Sequence, residues 1–369
     1  MGKNINDNTK ISGNITVEEW KNLRTILLKN MKELPLQEWN AAFDIFYSRI
    51  QTRFLNPITS ILEKDLMQGE GFTVVAIQCI LIEFLEAFYQ GKIYTVKRDN
   101  LWLYEYRSSR QLFKDFLLGH APFNEQFSEK LAANFYSHIR CGLLHEAQTK
   151  ETSKIRARSS SNLVKELDKG NMIIYRTNFQ EALICFIENY KNELLVNMKR
   201  RQNFIRKMDD LCGIEHVLYF AYGSNLKFSR LLKRFGEGHD SPKIHNSFIG
   251  HLVDYEFKFN KKGKDGTSKA NILKKEDSTV WGVCYEIDKN ALSLLDRYEG
   301  GYSQVVVTIE DAEGNKTRAI TYISESVFSD VVAPSVGYFE IVVAGAKEQD
   351  LPQSYIDEIC KEIDMDTLQ

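Results

Sequence analysis

At 369 residues, with 43% hydrophobic and 27% charged residues, the chain has the makeup of packed globular protein and exceeds what one hydrophobic core usually serves, which predicts two domains. Intrinsic disorder and fibrous architectures are excluded on the same grounds. The formal charge of −2 divides unevenly: 30 Lys+Arg face 25 Asp+Glu up to Asp210, and 18 face 25 beyond it, so only the N-terminal part has a bias, a mild one, toward polyanions.

The opening residues, MGKNINDNTKISGN, have no apolar h-region and read as a polar, disordered tail over 1–15 rather than a signal peptide. From Thr16 to about Lys207 apolar residues recur at spacings of three and four, predicting helices over 17–33, 39–64, 72–91, 100–118, 124–146 and 177–210. Thr16 with Glu19 fits a capping box, and Thr177 fits an N-cap. The most apolar stretch, 72–88, contains Gln78, Glu83 and Glu86 and is short for a bilayer span, so it reads as a buried core helix and no membrane contact is expected. The serine-rich stretch 149–170 reads as a loop.

After Gly213 the pattern changes. An apolar run at 216–221 leads into YGSN and a basic amphipathic segment from Leu226 to Arg234. Alternating runs follow at 248–259, 270–273, 280–287, 304–310 and 317–323, with helices expected at 289–298, 335–348 and 352–363. The fold class expected is α+β: an all-α helical bundle over 16–210, and a small mixed β-barrel with helices over 214–363.

Six cysteines (Cys79, Cys141, Cys185, Cys212, Cys284, Cys360) are scattered without a CxxC pair, which argues against a disulfide framework and for a reducing cytoplasmic setting. His239, His245 and His251 lack metal-site spacing, so no metal is expected. The GKDGTSK run at 263–269 lacks phosphate-loop spacing and reads as a hairpin turn.

Two motifs carry chemistry. Tyr222, Gly223, Ser224, Asn225 and Leu226 form a strand-to-helix turn, where glycine permits unusual φ and Ser224 or Asn225 can cap the next helix. Such a turn is either simply well capped or a place where amides at a helix N-terminus meet a carboxylate or oxyanion. Further along come ANI at 270–272, VWGVCY at 280–285, LLDRYEG at 294–300, Tyr302, Tyr338 and Tyr355. This ordered series, over roughly 216–360, resembles the gamma-glutamylcyclotransferase family. The resemblance implies a gamma-glutamyl amine or peptide as substrate and 5-oxoproline as product. It places Glu299 as the catalytic acid/base and Tyr222 to Leu226 with Tyr302 and Tyr338 at the substrate, and calls for no cofactor. Tyr355 and Trp281 read as packing residues.

In the helical part, FYSHIRCGLLHEAQ at 135–148 sets Arg140 and His145 at R-x4-H spacing. This resembles HEPN domains, helical bundles that often form homodimers and, in active members, cut RNA without metal. The resemblance implies RNA as a partner; the alternative is a structural use of Arg140 and His145 at a helix end or dimer contact. The whole chain thus has three readings: a cyclotransferase, a ribonuclease regulated by a ligand-binding barrel, or a non-catalytic ligand-sensing dimer.

Overall fold

The computed structural model describes residues 5–29, 31, 36–64, 68–96, 101–236 and 241–363. The chain divides into two compact units, Met1–Gly213 and Ile214–Gln369.

The N-terminal unit is mainly helical but not all-α. A hairpin of β1 (Lys10–Ser12) and β2 (Ile15–Thr16) buries Ile11, so this part of the 1–15 segment is structured rather than a disordered tail. It leads into α1 (Val17–Lys29), where Thr16 N donates to Glu19 Oε2 (2.8 Å) and Glu19 N to Thr16 Oγ1 (3.3 Å), closing the expected capping box. The end of the helix expected over 17–33 lies partly outside the described residues. Next come α2 (Leu36–Ile50), α3 (Asn56–Lys64) and α4 (Glu70–Gln90). By length and composition α4 could cross a membrane, yet 61% of its apolar window is buried inside the protein. Two of its polar residues find partners there: Gln78 donates Nε2 to the Arg176 carbonyl (2.8 Å) and Glu86 bonds His120 (2.8 Å).

Sequence periodicity misplaced the next elements. The helix expected from residue 100 begins only at α5 (Arg110–Gly119), because β3 (Ile93–Tyr94) takes β4 (Glu105–Tyr106) as a parallel partner and Tyr106 donates to Glu83 (3.1 Å). The span 124–146 breaks into α6 (Glu129–Asn134), capped by Ser128, a π-helical turn at Phe135–Arg140, and α7 (Cys141–Glu146). The supposed loop at 149–170 contributes β5 (Lys154–Arg156) and β6 (Val164–Glu166) to a three-stranded sheet with β7 (Met172–Tyr175), buried through Val164, Met172 and Ile174. The long helix from 177 is two, α8 (Arg176–Val196) and α9 (Met198–Leu211). Asn197 caps the second by accepting from Arg200 N (3.2 Å), and Arg201 donates to the last α8 carbonyls, Leu194 (3.1 Å) and Leu195 (2.5 Å). Thr177 is not an N-cap, since α8 starts at Arg176 with no side-chain cap. Phe204 fixes the core, with edge contacts to Trp20, Trp39, Phe46 and Phe88 at 5.6–6.3 Å.

The C-terminal unit is built on a closed five-stranded barrel. Its strands are β8 (His216–Ala221), β9 (Ile244–Lys262), β10 (Ser268–Asp288), β11 (Ser303–Asp311) and β12 (Lys316–Ile323), in the closed order β10-β8-β12-β11-β9. Pairings are antiparallel except β12 with β8. The two runs at 270–273 and 280–287 are one long strand interrupted by a bulge between Lys274 and Thr279. Around the barrel lie α10 (Phe228–Phe235), α11 (Ala291–Tyr298), α12 (Val336–Glu348) and α13 (Gln353–Lys361).

Helix α12 lies directly on the exit of the 222–226 turn: a Cβ on Gly345 would sit 2.5 Å from Lys227 N and 2.8 Å from Leu226 Cβ. The obstacle includes backbone, which cannot swing aside. Gly345→Val is therefore expected to cost roughly 3 kcal/mol, the upper range for overpacking. Urea unfolding of the variant checks this; an unchanged midpoint would refute the close approach.

Candidate active site

Strand β8 delivers Tyr219 to the barrel end and then turns at 222–226 into α10. The turn does not work as its sequence suggested. Gly223 has φ −116°, so it is not there for a left-handed backbone. Space requires it: a Cβ would lie 3.0 Å from Ala270 Cβ and 3.8 Å from the Tyr338 hydroxyl. Nor do Ser224 or Asn225 cap α10, whose N-cap is Lys227 without a side-chain bond. Asn225 instead spends its amide on two neighbours, donating Nδ2 to the Tyr219 hydroxyl (2.6 Å) and to Glu299 Oε1 (3.1 Å).

Glu299 follows the last residue of α11, its N–H donating to the Leu295 carbonyl (2.9 Å). The chain beyond it is pinned at consecutive carbonyls. The buried Lys261, 7% exposed, donates Nζ to Gly300 O (2.8 Å), and Ser324 Oγ donates to Gly301 O (2.6 Å). Gly301 itself has φ +82°, a conformation that favours glycine. The Glu299 side chain, 13% exposed, is held by Asn225 and by an ion pair with Arg234 from α10.

These elements enclose a half-open recess of about 290 Å³, mouth included, lined by Tyr219, Tyr222, Gly223, Ser224, Asn225, Ala270, Glu299, Tyr302, Tyr322 and Tyr338. The structure thus brings together Glu299, Tyr222 to Asn225, Tyr302 and Tyr338. Leu226 is corrected: it is fully buried, absent from the lining, and packs behind the turn near Gly345. Tyr355 is a buried packing residue, and Trp281 is half-buried beside His251.

The tyrosines form a neutral wall. Burial, with the Glu299 charge as a further cause, pushes the Tyr219, Tyr222, Tyr302 and Tyr338 phenols above their ordinary range. They therefore remain hydroxyl groups through the neutral range. Tyr302 donates to Ala270 O (2.6 Å), Tyr338 accepts from Ala270 N (3.2 Å), and Tyr222 donates to Tyr322 O. Cations stand behind this wall. Burial lowers the pKa of Lys261, whose Nζ lies 4.9 Å from the Tyr302 ring centroid, and of Arg230. Sequence reasoning missed Tyr219, Tyr322, Lys261 and Arg234. Only Arg234 had a signal, as part of the basic face at 226–234.

A second polar cluster sits in the same unit, away from the recess lining. His245 Nε2 bonds Asp288 Oδ1 (2.7 Å), His216 Nδ1 bonds Glu286 Oε1 (2.9 Å), and the two imidazoles stack at 3.8 Å. Imidazole nitrogens and carboxylate oxygens are donor types that suit a divalent metal. His216 was not among the histidines weighed from sequence, and His239 lies outside the described residues.

In the N-terminal unit, Arg140 is engaged by Glu83 (3.6 Å) and by the Tyr136 ring (5.2 Å), while His145 is exposed in the last turn of α7. Among the described residues no hydrogen bond joins the two.

Comparison with known proteins places this recess in context. The pattern defining the AIG2-like family matches residues 279–359. A gamma-glutamylcyclotransferase from Bos taurus is 33% identical over 150 residues, covering 38% of this chain and 76% of the relative. The enzymes of the same name from Mus musculus and Homo sapiens are 34% and 33% identical over the same shares. A solved gamma-glutamyl cyclotransferase structure is 28% identical, covers 40% of this chain and 87% of its own, and gives a TM-score of 0.35. With 33–34% identity over 150 aligned residues that span 76% of each of these relatives, the chain belongs to the gamma-glutamylcyclotransferase family.

Proposed function

We propose that the C-terminal unit converts a gamma-glutamyl amine or peptide into 5-oxoproline and the free amine, with Glu299 as general acid/base. The observation that supports this most directly is the Glu299 carboxylate set in the same half-open recess as the Tyr222–Asn225 turn. The names of the mammalian relatives point the same way.

The chemistry needs few parts. At neutral pH the substrate's α-amine is mostly protonated and cannot attack. Glu299 takes that proton, the nitrogen attacks the γ-carbonyl carbon, and a C–N bond closes a five-membered lactam. The original γ C–N bond then breaks, its electron pair going to the leaving nitrogen; Glu299 returns the first proton there and then relays the second proton that the ring nitrogen sheds, so the amine departs as an ammonium and Glu299 ends as a carboxylate. No water is consumed. Because attack is intramolecular, holding the glutamyl chain folded supplies much of the acceleration. The amides of the 223–225 turn would face the developing oxyanion, and the neutral Tyr219 hydroxyl, which accepts from Asn225, offers a further donor without adding charge.

The ribonuclease alternative draws less from the geometry. Arg140 is occupied by Glu83 and Tyr136 within its own unit, an arrangement that favours a structural role.

Two measurements check the proposal. The full-length protein, given a panel of gamma-glutamyl amino acids and amines, is expected to release 5-oxoproline, and Glu299→Gln to lower kcat by about 10²- to 10⁴-fold. Thermal unfolding should show a folded variant with a midpoint lowered by the loss of the Arg234 ion pair, and full activity in it would sink the assignment. Gly223→Val is expected to crowd Ala270 and Tyr338 and raise KM by roughly tenfold or more, the cost of a displaced pocket wall. An unaltered KM would mean that ligand does not meet this turn.

A further inference from the structure

The two oxygens of Glu299 are not equivalent. Oε1 accepts from both the Arg234 guanidinium and Asn225 Nδ2 (3.1 Å), whereas no described residue donates to Oε2. Arg234 does not line the recess. It reaches the carboxylate from behind, out of α10, with its side chain 10% exposed and its guanidinium carbon 5.1 Å from the Tyr298 ring centroid. Tyr298 is the residue just before Glu299, so one guanidinium braces both the end of α11 and the carboxylate that follows. Arg230, one helical turn earlier, lies close enough to feel the Glu299 charge but makes no hydrogen bond to it. The brace belongs to Arg234.

A carboxylate held by nothing rotates freely, because its terminal torsion is broad and two-fold. Two donors on one oxygen stop that rotation, and the charge-assisted bond from arginine is the stronger of the two. We propose that Arg234 is a positioning residue: with Asn225 it commits Oε1, so that Oε2 alone takes the proton from the substrate α-ammonium and passes it to the departing amine nitrogen. This rests on the reading of Glu299 given above. The arrangement also keeps the arginine charge out of the ligand's space, where it would compete with the α-ammonium for the same carboxylate.

The test uses the full-length protein and gamma-glutamyl-L-alanine, or whichever panel member the wild type turns over best. Arg234→Met is expected to lower kcat by about 10²-fold, the scale of a misplacement near 1 Å, and to leave KM within about threefold. Arg234→Lys should recover part of kcat, and millimolar methylguanidinium should restore part of it to Arg234→Ala, responses that loss of a merely structural contact would not give. Thermal unfolding of each variant accompanies the kinetics. An unchanged kcat in Arg234→Met overturns the proposal. So does a raised KM at constant kcat, which would mean that the guanidinium grips the ligand itself, and so does a loss that neither lysine nor methylguanidinium relieves. A wild type that yields no 5-oxoproline from any panel member overturns this proposal and the reading of Glu299 together. An active wild type matched by Arg234→Met sinks the role of Arg234 alone.

Discussion

The C-terminal unit depends on how β8 is held. This six-residue strand pairs antiparallel with β10 along Val283 to Asp288 and parallel with β12 at Tyr219 and Ile320, and the parallel contact closes the barrel. A strand buried on both sides cannot move, so the turn that leaves its end is fixed too. Thr321 donates to the Phe220 carbonyl (2.9 Å) and Tyr222 to the Tyr322 carbonyl, tying the last residues of β8 to β12. From that anchored end Asn225 reaches Glu299, whose own loop is pinned through Lys261 and Ser324. The recess is therefore preorganised by the strand pairing of β8 and by side-chain donors fixed on backbone carbonyls and on Glu299.

Charge follows the same design. A single carboxylate lies among neutral tyrosines, and arginine and lysine stand behind them. Burying a carboxylate costs free energy unless it is paired and hydrogen-bonded, and Arg234 with Asn225 supplies both. The tyrosines give hydroxyls that do not ionise near neutrality, so the pocket's charge state is set by few groups.

Some of this was legible in the sequence. Local chemistry was: the Thr16–Glu19 capping box closes as its spacing predicted, and the 263–269 turn joins β9 to β10 with Gly263 N donating to Thr267 O (2.9 Å). The ordered motif series singled out Glu299 and the 222–225 turn, which line one recess. What failed was whatever depended on distant partners. Residues 101–109 have helical spacing, but Ile93 N finds the Tyr104 carbonyl (2.7 Å) and extended pairing wins. The break at Asn197 needs Arg201 folding back onto α8, a tertiary fact that a continuous apolar stripe conceals. Tyr219 and Tyr322 could not be distinguished among 17 tyrosines because only barrel closure brings them together. Gly223 was identified correctly as special but for the wrong reason, since proximity to Ala270 rather than a positive φ requires it.

The central claim is that Glu299 and the 222–225 turn meet around one small carboxylate-bearing ligand. Crystals of the full-length protein soaked in 5-oxo-L-proline test it most directly. The account predicts the lactam bound in the recess between Glu299 and the Gly223–Asn225 backbone, within the ring of tyrosines. A recess that stays empty at saturating 5-oxoproline, or a lactam seated elsewhere, would contradict it.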